Sequence, residues 1–135
     1  MSNPRSLPQR LARRVGRRGA ALLCLAVVVG LIGYSLVTAP AQVAAQPGLR
    51  VLARIPLEAW GWGWVAVAGV CAVGAVRADD RVAYGLAAGL FGLWGGGYLA
   101  AWLFYHAERG WVAATVYLAM AGFIALLAGT PERRP

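Results

Sequence analysis

The sequence has no lysine, one histidine (His106), two cysteines (Cys24 and Cys71) and five acidic residues among its 135 positions. Charged residues of both signs make up 13% of the chain, roughly half the ~25% of an ordinary soluble domain. A water-facing surface for a fold of this size cannot be assembled from so few. The two cysteines are far apart and each sits inside an apolar run, which excludes a disulfide framework and a zinc-ligand spacing. Four long apolar stretches contain no Asp, Glu, Lys, Arg or His. Intramembrane ionisable groups mark proton relays, ion coupling and voltage sensing, so their absence argues against a pump or a proton-coupled transporter. Ser35 has no base in its stretch, and an intramembrane serine nucleophile needs one. No catalytic residue, cofactor or metal is expected from this inventory.

What is present in excess is apolar: 60% of the residues are hydrophobic. The uncharged stretches are residues 20–39, 59–76, 82–105 and 111–129, each near the ~20 residues with which a helix crosses a ~30 Å hydrocarbon core. Backbone polar groups in lipid must be satisfied within the segment or in a closed barrel, and none of these runs alternates polar and apolar as barrel strands do. The fold expected is therefore all-α, a bundle of four transmembrane helices. The first run exceeds the 7 to 15 apolar residues of a secretory signal core, so it reads as a span rather than a leader, although Ala39-Pro40-Ala41 has the small-residue pattern of a cleavage site. Residues 77–81 and 106–110 are tight turns that make the last three helices antiparallel neighbours. Residues 40–58 form a longer connection whose Leu49, Val51, Leu52, Ile55 and Leu57 suit a membrane surface, with Arg50 and Arg54 facing water.

All 13 basic residues are arginine, and their distribution is uneven. The tail 1–19 carries six, the turn 77–81 two and the tail 130–135 two, against Arg50, Arg54 and Arg109 on the opposite side. The side with the arginine excess is normally cytoplasmic, which predicts a multi-pass protein of the cell membrane with both termini inside. Arg10, Arg13, Arg14, Arg17 and Arg18 are assigned to anionic lipid headgroups, where each contributes about 1 kcal/mol. No aromatic residue is interleaved with them, so nucleic acid is not an expected partner. Trp60, Trp62, Trp64 and Trp111 open the second and fourth spans at the level where amphipathic rings settle at an interface. Asp79 and Asp80 are expected to cap and pair locally with Arg77 and Arg81. Glu58, His106, Glu108 and Arg109 read as solvated loop groups. The hydroxyls of Tyr34, Ser35, Thr38, Tyr84, Tyr98, Thr115 and Tyr117 are expected for the most part to bond backbone carbonyls or to sit near headgroups.

The sharpest pattern lies in the third span, where Gly85, Gly89, Gly92 and Gly96 recur at intervals of four, three and four. That spacing stacks them on one helix face. Helices in lipid associate by close backbone approach and van der Waals contact, which small residues at this spacing allow. The face should therefore touch a helix, either within the bundle, which the short turns favour, or in another molecule. Weaker stripes occur at Ala26, Gly30 and Gly33, at Ala68, Ala72 and Ala75, and at Ala121, Ala125 and Ala128. The run Gly95-Gly96-Gly97 is a candidate kink.

Trp60-Gly61-Trp62-Gly63-Trp64, Arg81-Val82-Ala83-Tyr84-Gly85-Leu86-Ala87-Ala88 and Glu108-Arg109-Gly110-Trp111-Val112-Ala113 resemble small multi-span membrane proteins of actinobacteria and their phages, over residues 57–131. Some of those phage proteins are holins, which assemble in the membrane into lesions that release a lytic enzyme. The resemblance implies a holin-like, self-associating protein without enzymatic activity, whose partners are the bilayer and either itself or another membrane protein. A membrane anchor or accessory subunit of a larger complex is the alternative, and a small-solute channel ranks third for want of polar lining.

Overall fold

The computed structural model describes the backbone of residues 6–49, 51–77 and 79–130, and side chains within those ranges from Gly16 onward. It is helical, with no strand among the described residues. The elements are α1 (Ser6–Val37), a four-residue α2 (Ala41–Ala44), two 3-10 turns (Pro47–Leu49 and Leu52–Arg54), α3 (Leu57–Gly74), α4 (Arg81–Tyr105) and α5 (Gly110–Gly129). Four helical segments are long and apolar enough to cross a membrane: Gly16–Val37, α3, α4 and α5. Gly16, at φ 50° and ψ −176°, interrupts α1. Only glycine takes that conformation cheaply, so it divides the arginine-rich start of α1 from the apolar segment that follows.

The helices alternate in direction, and the start of the first apolar segment lies at the same end of the bundle as the end of α5, where Arg18 bonds both the turn before α4 and the last carbonyls of α5. Two close pairs make up the bundle: α1 runs along α3, and α4 along α5. Glycines explain the closeness of both. A methyl group placed on Gly33 would fall 2.8 Å from the carbonyl oxygen of Gly61, and one on Gly61 would fall 2.8 Å from the backbone nitrogen of Val37. Ala68 meets Gly30 one turn further along. On the other seam, Gly95 lies under Leu118 and Gly110 against the Tyr98 carbonyl and Trp102. Of the small-residue stripes of the first two spans, Ala26, Gly30, Gly33, Ala68 and Ala75 thus face inward, while Ala72 is exposed. Gly95 and Gly97 serve close approach and not a kink, Gly97 receiving Leu52 from the connection, while α4 runs as one helix.

Between the two pairs the backbones stand further apart, and aromatic rings fill the space. Trp64 and Trp94 are fully buried and meet edge to face at 5.7 Å and 81°. Phe91 packs edge-on against Trp64, Tyr117 lies against Phe91 and Trp94, and Tyr98 stacks on Tyr117 at 5.6 Å. Edge-to-face ring pairs add about 0.5–1.5 kcal/mol beyond area burial. The indole N–H groups of Trp64 and Trp94 have no oxygen acceptor among the described residues.

The connection from α1 to α3 differs from expectation. Leu49 and Leu52 are buried in the core, and Trp60 donates its indole N–H to the Leu52 carbonyl at 2.9 Å. This segment folds over the end of the bundle, with its leucines pointing into the protein and not along a membrane surface. Opposite the Arg18 end, α4 stops at His106, whose φ of 53° is left-handed. Ala107 then donates back to the Ala101 carbonyl at 3.3 Å, the closing bond of a Schellman-type helix end.

Candidate functional site

Few groups in the described chain have the means to do chemistry, so two features define the candidate site: an outward helix face and a clamp that fixes the helices behind it. The face belongs to α4. A Cβ built on Gly85, Gly89 or Gly96 meets nothing within 4 Å, and one on Gly92 only grazes Ala121 at 4.0 Å. Val82, Leu86 and Leu93 stand exposed on the same side of the helix. The in-chain packing favoured by the short turns is therefore not made by these four glycines. It is made by Gly33, Gly61, Gly95 and Gly110, which the 4-3-4 pattern does not contain. Gly63 and Gly69 on α3 and Gly122 and Gly129 on α5 also stand open, but the Gly85 to Gly96 face is the longest run of glycines at helix-packing spacing that the described chain leaves almost uncovered.

The clamp sits where the start of the first apolar segment meets the end of α5. Arg18 donates from Nη2 to Asp80 Oδ1 at 3.0 Å, and its Nε lies 2.9 Å from Asp80 Oδ2. That second contact is ionic, since the Nε–H is not aligned on an acceptor. Nη1 donates to the Thr130 carbonyl at 2.9 Å and Nη2 also to the Ala128 carbonyl at 3.3 Å. The guanidinium lies over the Tyr84 ring, 5.4 Å from its centroid, and the Tyr84 hydroxyl donates to the Arg18 carbonyl at 3.0 Å. One side chain thereby joins the start of the first span, the turn before α4, α4 itself and the end of α5. The last carbonyls of α5 lack intrahelical donors and carry partial negative charge, so a planar cation with five donors suits them. The side chains of Arg18 and Asp80 are 20% and 16% exposed, and such partial burial makes charge-assisted bonds stronger than at an open surface.

The clamp revises two sequence assignments. Arg18 was assigned to lipid headgroups, and its guanidinium is occupied within the protein. Asp80 was expected to pair locally with Arg77 or Arg81, but it pairs across 62 residues with Arg18. Asp79 does act locally, its Oδ1 accepting the Arg81 backbone N–H at 3.2 Å. Of the remaining headgroup arginines, Arg17 is exposed, and Arg10, Arg13 and Arg14 lie outside the residues whose side chains are described.

The tryptophans also divide. Trp62 and Trp111 are exposed, Trp60 is half-buried over the connection, and Trp64 is wholly internal. Trp64 is thus corrected from an interfacial ring to the centre of the aromatic core. Its position about two helical turns inside α3 places it opposite Phe91 and Trp94, which composition alone does not reveal. Glu58, His106, Glu108 and Arg109 are all exposed. Ser35, Thr38 and Thr115 bond backbone carbonyls of their own helices at 2.7, 2.9 and 2.8 Å. Cys24 is exposed on α1 while Cys71 is buried against the Ala83 carbonyl, so the two thiols occupy different environments.

No family model matches the chain, and no curated protein or solved structure matches it.

Proposed function

We propose that this is a non-enzymatic, multi-pass protein of the cell membrane that self-associates through the Gly85, Gly89, Gly92 and Gly96 face of α4, in the manner of a holin. The observation that carries the reading is the open face itself. In lipid, close backbone approach is what holds helices together, and this stripe has the spacing for it with only Ala121 of α5 at its edge, 4.0 Å from a Cβ on Gly92. The exposed apolar side chains of all four long helices, among them Val27, Val73, Phe104 and Leu126, suit a bilayer and not water. Ten arginines stand at the ends of the chain and in the turn 77–81, against three on the opposite side, which supports cytoplasmic termini. The same face fits a helix of a different membrane protein, and that anchor reading differs only in the identity of the partner. A small-solute channel has less support, because the described core contains no buried polar or charged side chain.

The test is induced expression with the membrane potential followed by a voltage-sensitive dye. A holin-like protein collapses the potential after a delay, and the Gly89→Leu, Gly96→Leu double variant abolishes the collapse while still inserting. A Cβ at either position meets nothing within 4 Å, and an unfolding midpoint equal to that of the wild type in detergent shows that the loss is not a folding failure. Harmless expression with stoichiometric recovery of another membrane protein overturns self-association in favour of the anchor.

A further inference from the structure

On the outer side of the seam between α3 and α4, near the Arg18 end where Gly74 packs against Ala83, lies an open groove of about 700 Å³, within the range of sites that hold small molecules. Its walls are apolar: Gly69, Val70 and Val73 on α3 and Val82 on α4. Its mouth is not, because Arg77 and Asp79 line it there. The groove reaches up α3 as far as Ala66, and from Ala66 to the helix end at Gly74 is about 12 Å at 1.5 Å per residue. Half of a hydrocarbon core is about 15 Å, so the cleft has the depth of a single leaflet, with its charged mouth at headgroup level.

The two charges at the mouth are not neutralised by each other. The ion pair of the described residues is that of Arg18 with Asp80, and among those residues the Arg77 guanidinium has no bonding partner. Asp79 uses only Oδ1, toward the Arg81 backbone, leaving Oδ2 to accept another donor. A cation and an anion, neither neutralised by the other, therefore stand on one turn at the mouth of an apolar slot. We propose that this groove binds a phospholipid whose headgroup carries both a phosphate and a primary ammonium, of the phosphatidylethanolamine class. One acyl chain lies between α3 and α4, the phosphate takes the Arg77 guanidinium, and the ammonium donates to Asp79 Oδ2. Guanidinium matches phosphate in a bidentate fork, and a primary ammonium brings N–H donors that a quaternary one lacks. A purely anionic lipid satisfies Arg77 but is repelled by Asp79. This inference does not depend on self-association, since it concerns the α3 side of α4 and the turn between the helices.

The experiment is native mass spectrometry of the full-length protein extracted from vesicles with equal parts of phosphatidylethanolamine, phosphatidylglycerol and phosphatidylcholine, counting lipids that survive collisional activation. The expected result is one tightly held phosphatidylethanolamine per chain, retained at least about tenfold above the other two, as loss of one charge-assisted contact implies. Asp79→Asn keeps the oxygen that accepts from Arg81 and should erase the preference for phosphatidylethanolamine over phosphatidylglycerol. Arg77→Gln should reduce retention of both. Gly69→Leu should expel the lipid by filling the slot, and it leaves the fold intact because a Cβ there meets nothing within 4 Å. Equal retention of all three lipids, preference for phosphatidylglycerol, or unchanged retention in Gly69→Leu overturns the proposal.

Discussion

Replacing Gly61 with alanine separates the two kinds of glycine in this protein. The new methyl carbon would stand 2.6 Å from Val37 Cγ2, 2.8 Å from the Val37 nitrogen and 2.9 Å from the Gly33 carbonyl oxygen. Two of those atoms are backbone and cannot rotate aside, so α1 must retreat from α3. Non-bonded carbon contacts are most favourable at about 3.5–4.0 Å, which requires a shift of roughly an ångström and loosens the neighbouring Gly30 to Ala68 contact, now at 3.6 Å. Overpacking of this kind costs about 1–3 kcal/mol. Alanine recovers at most about 1 kcal/mol over glycine in a helix, so the variant loses on the order of 1 kcal/mol, the middle of the ~0–2 kcal/mol that those two terms leave. Gly89→Ala makes no contact within 4 Å and should keep or slightly raise stability. Both variants are compared as full-length protein in one detergent, with unfolding followed by far-ultraviolet circular dichroism. The reasoning is refuted if Gly61→Ala melts with the wild type, or if the two variants shift alike.

Other perturbations have definite expected outcomes. Arg18→Gln removes the ion pair with Asp80 and two bonds to the end of α5; at this partial burial the loss should be about 1–3 kcal/mol, read as a lower unfolding midpoint, and Arg18→Lys should recover only part of it because an ammonium cannot fork. His106→Gly relieves a left-handed backbone at φ 53° and should raise stability by about 1 kcal/mol in the same measurement; a loss instead would mean that the imidazole itself holds the α4 end.

The four spans were legible in the sequence because twenty uncharged residues in a row have few other fates, and the antiparallel order followed from turns of five residues. Which face of each helix points inward was not. In water the hydrophobic stripe marks the buried side, but in lipid both sides are apolar, and Gly61 buried on α3 looks no different in sequence from Gly63, which meets nothing. The same blindness put Trp64 at an interface with Trp62 when one is internal and the other exposed. Arg18 was hidden for a different reason. Four other arginines stand near it in the tail, and two more flank Asp80, so sequence proximity favoured every pairing except the one made across 62 residues. The pattern Gly85, Gly89, Gly92, Gly96 was plain from spacing alone. That it faces outward required the positions of α3 and α5 on either side.

Cysteine cross-linking at Gly89 tests self-association through α4 most directly. In a Cys24→Ser background, which removes the exposed native thiol, Gly89→Cys is oxidised in membranes with Gly122→Cys on α5 as the comparison, both sites being free of neighbours in their own chain. A symmetric contact through the glycine face brings two copies of residue 89 together, within the ~4.4–6.8 Å Cα separation that a disulfide needs. The expected result is rapid covalent dimer from Gly89→Cys and little from Gly122→Cys. Equal cross-linking at the two positions, or none at Gly89, contradicts the account.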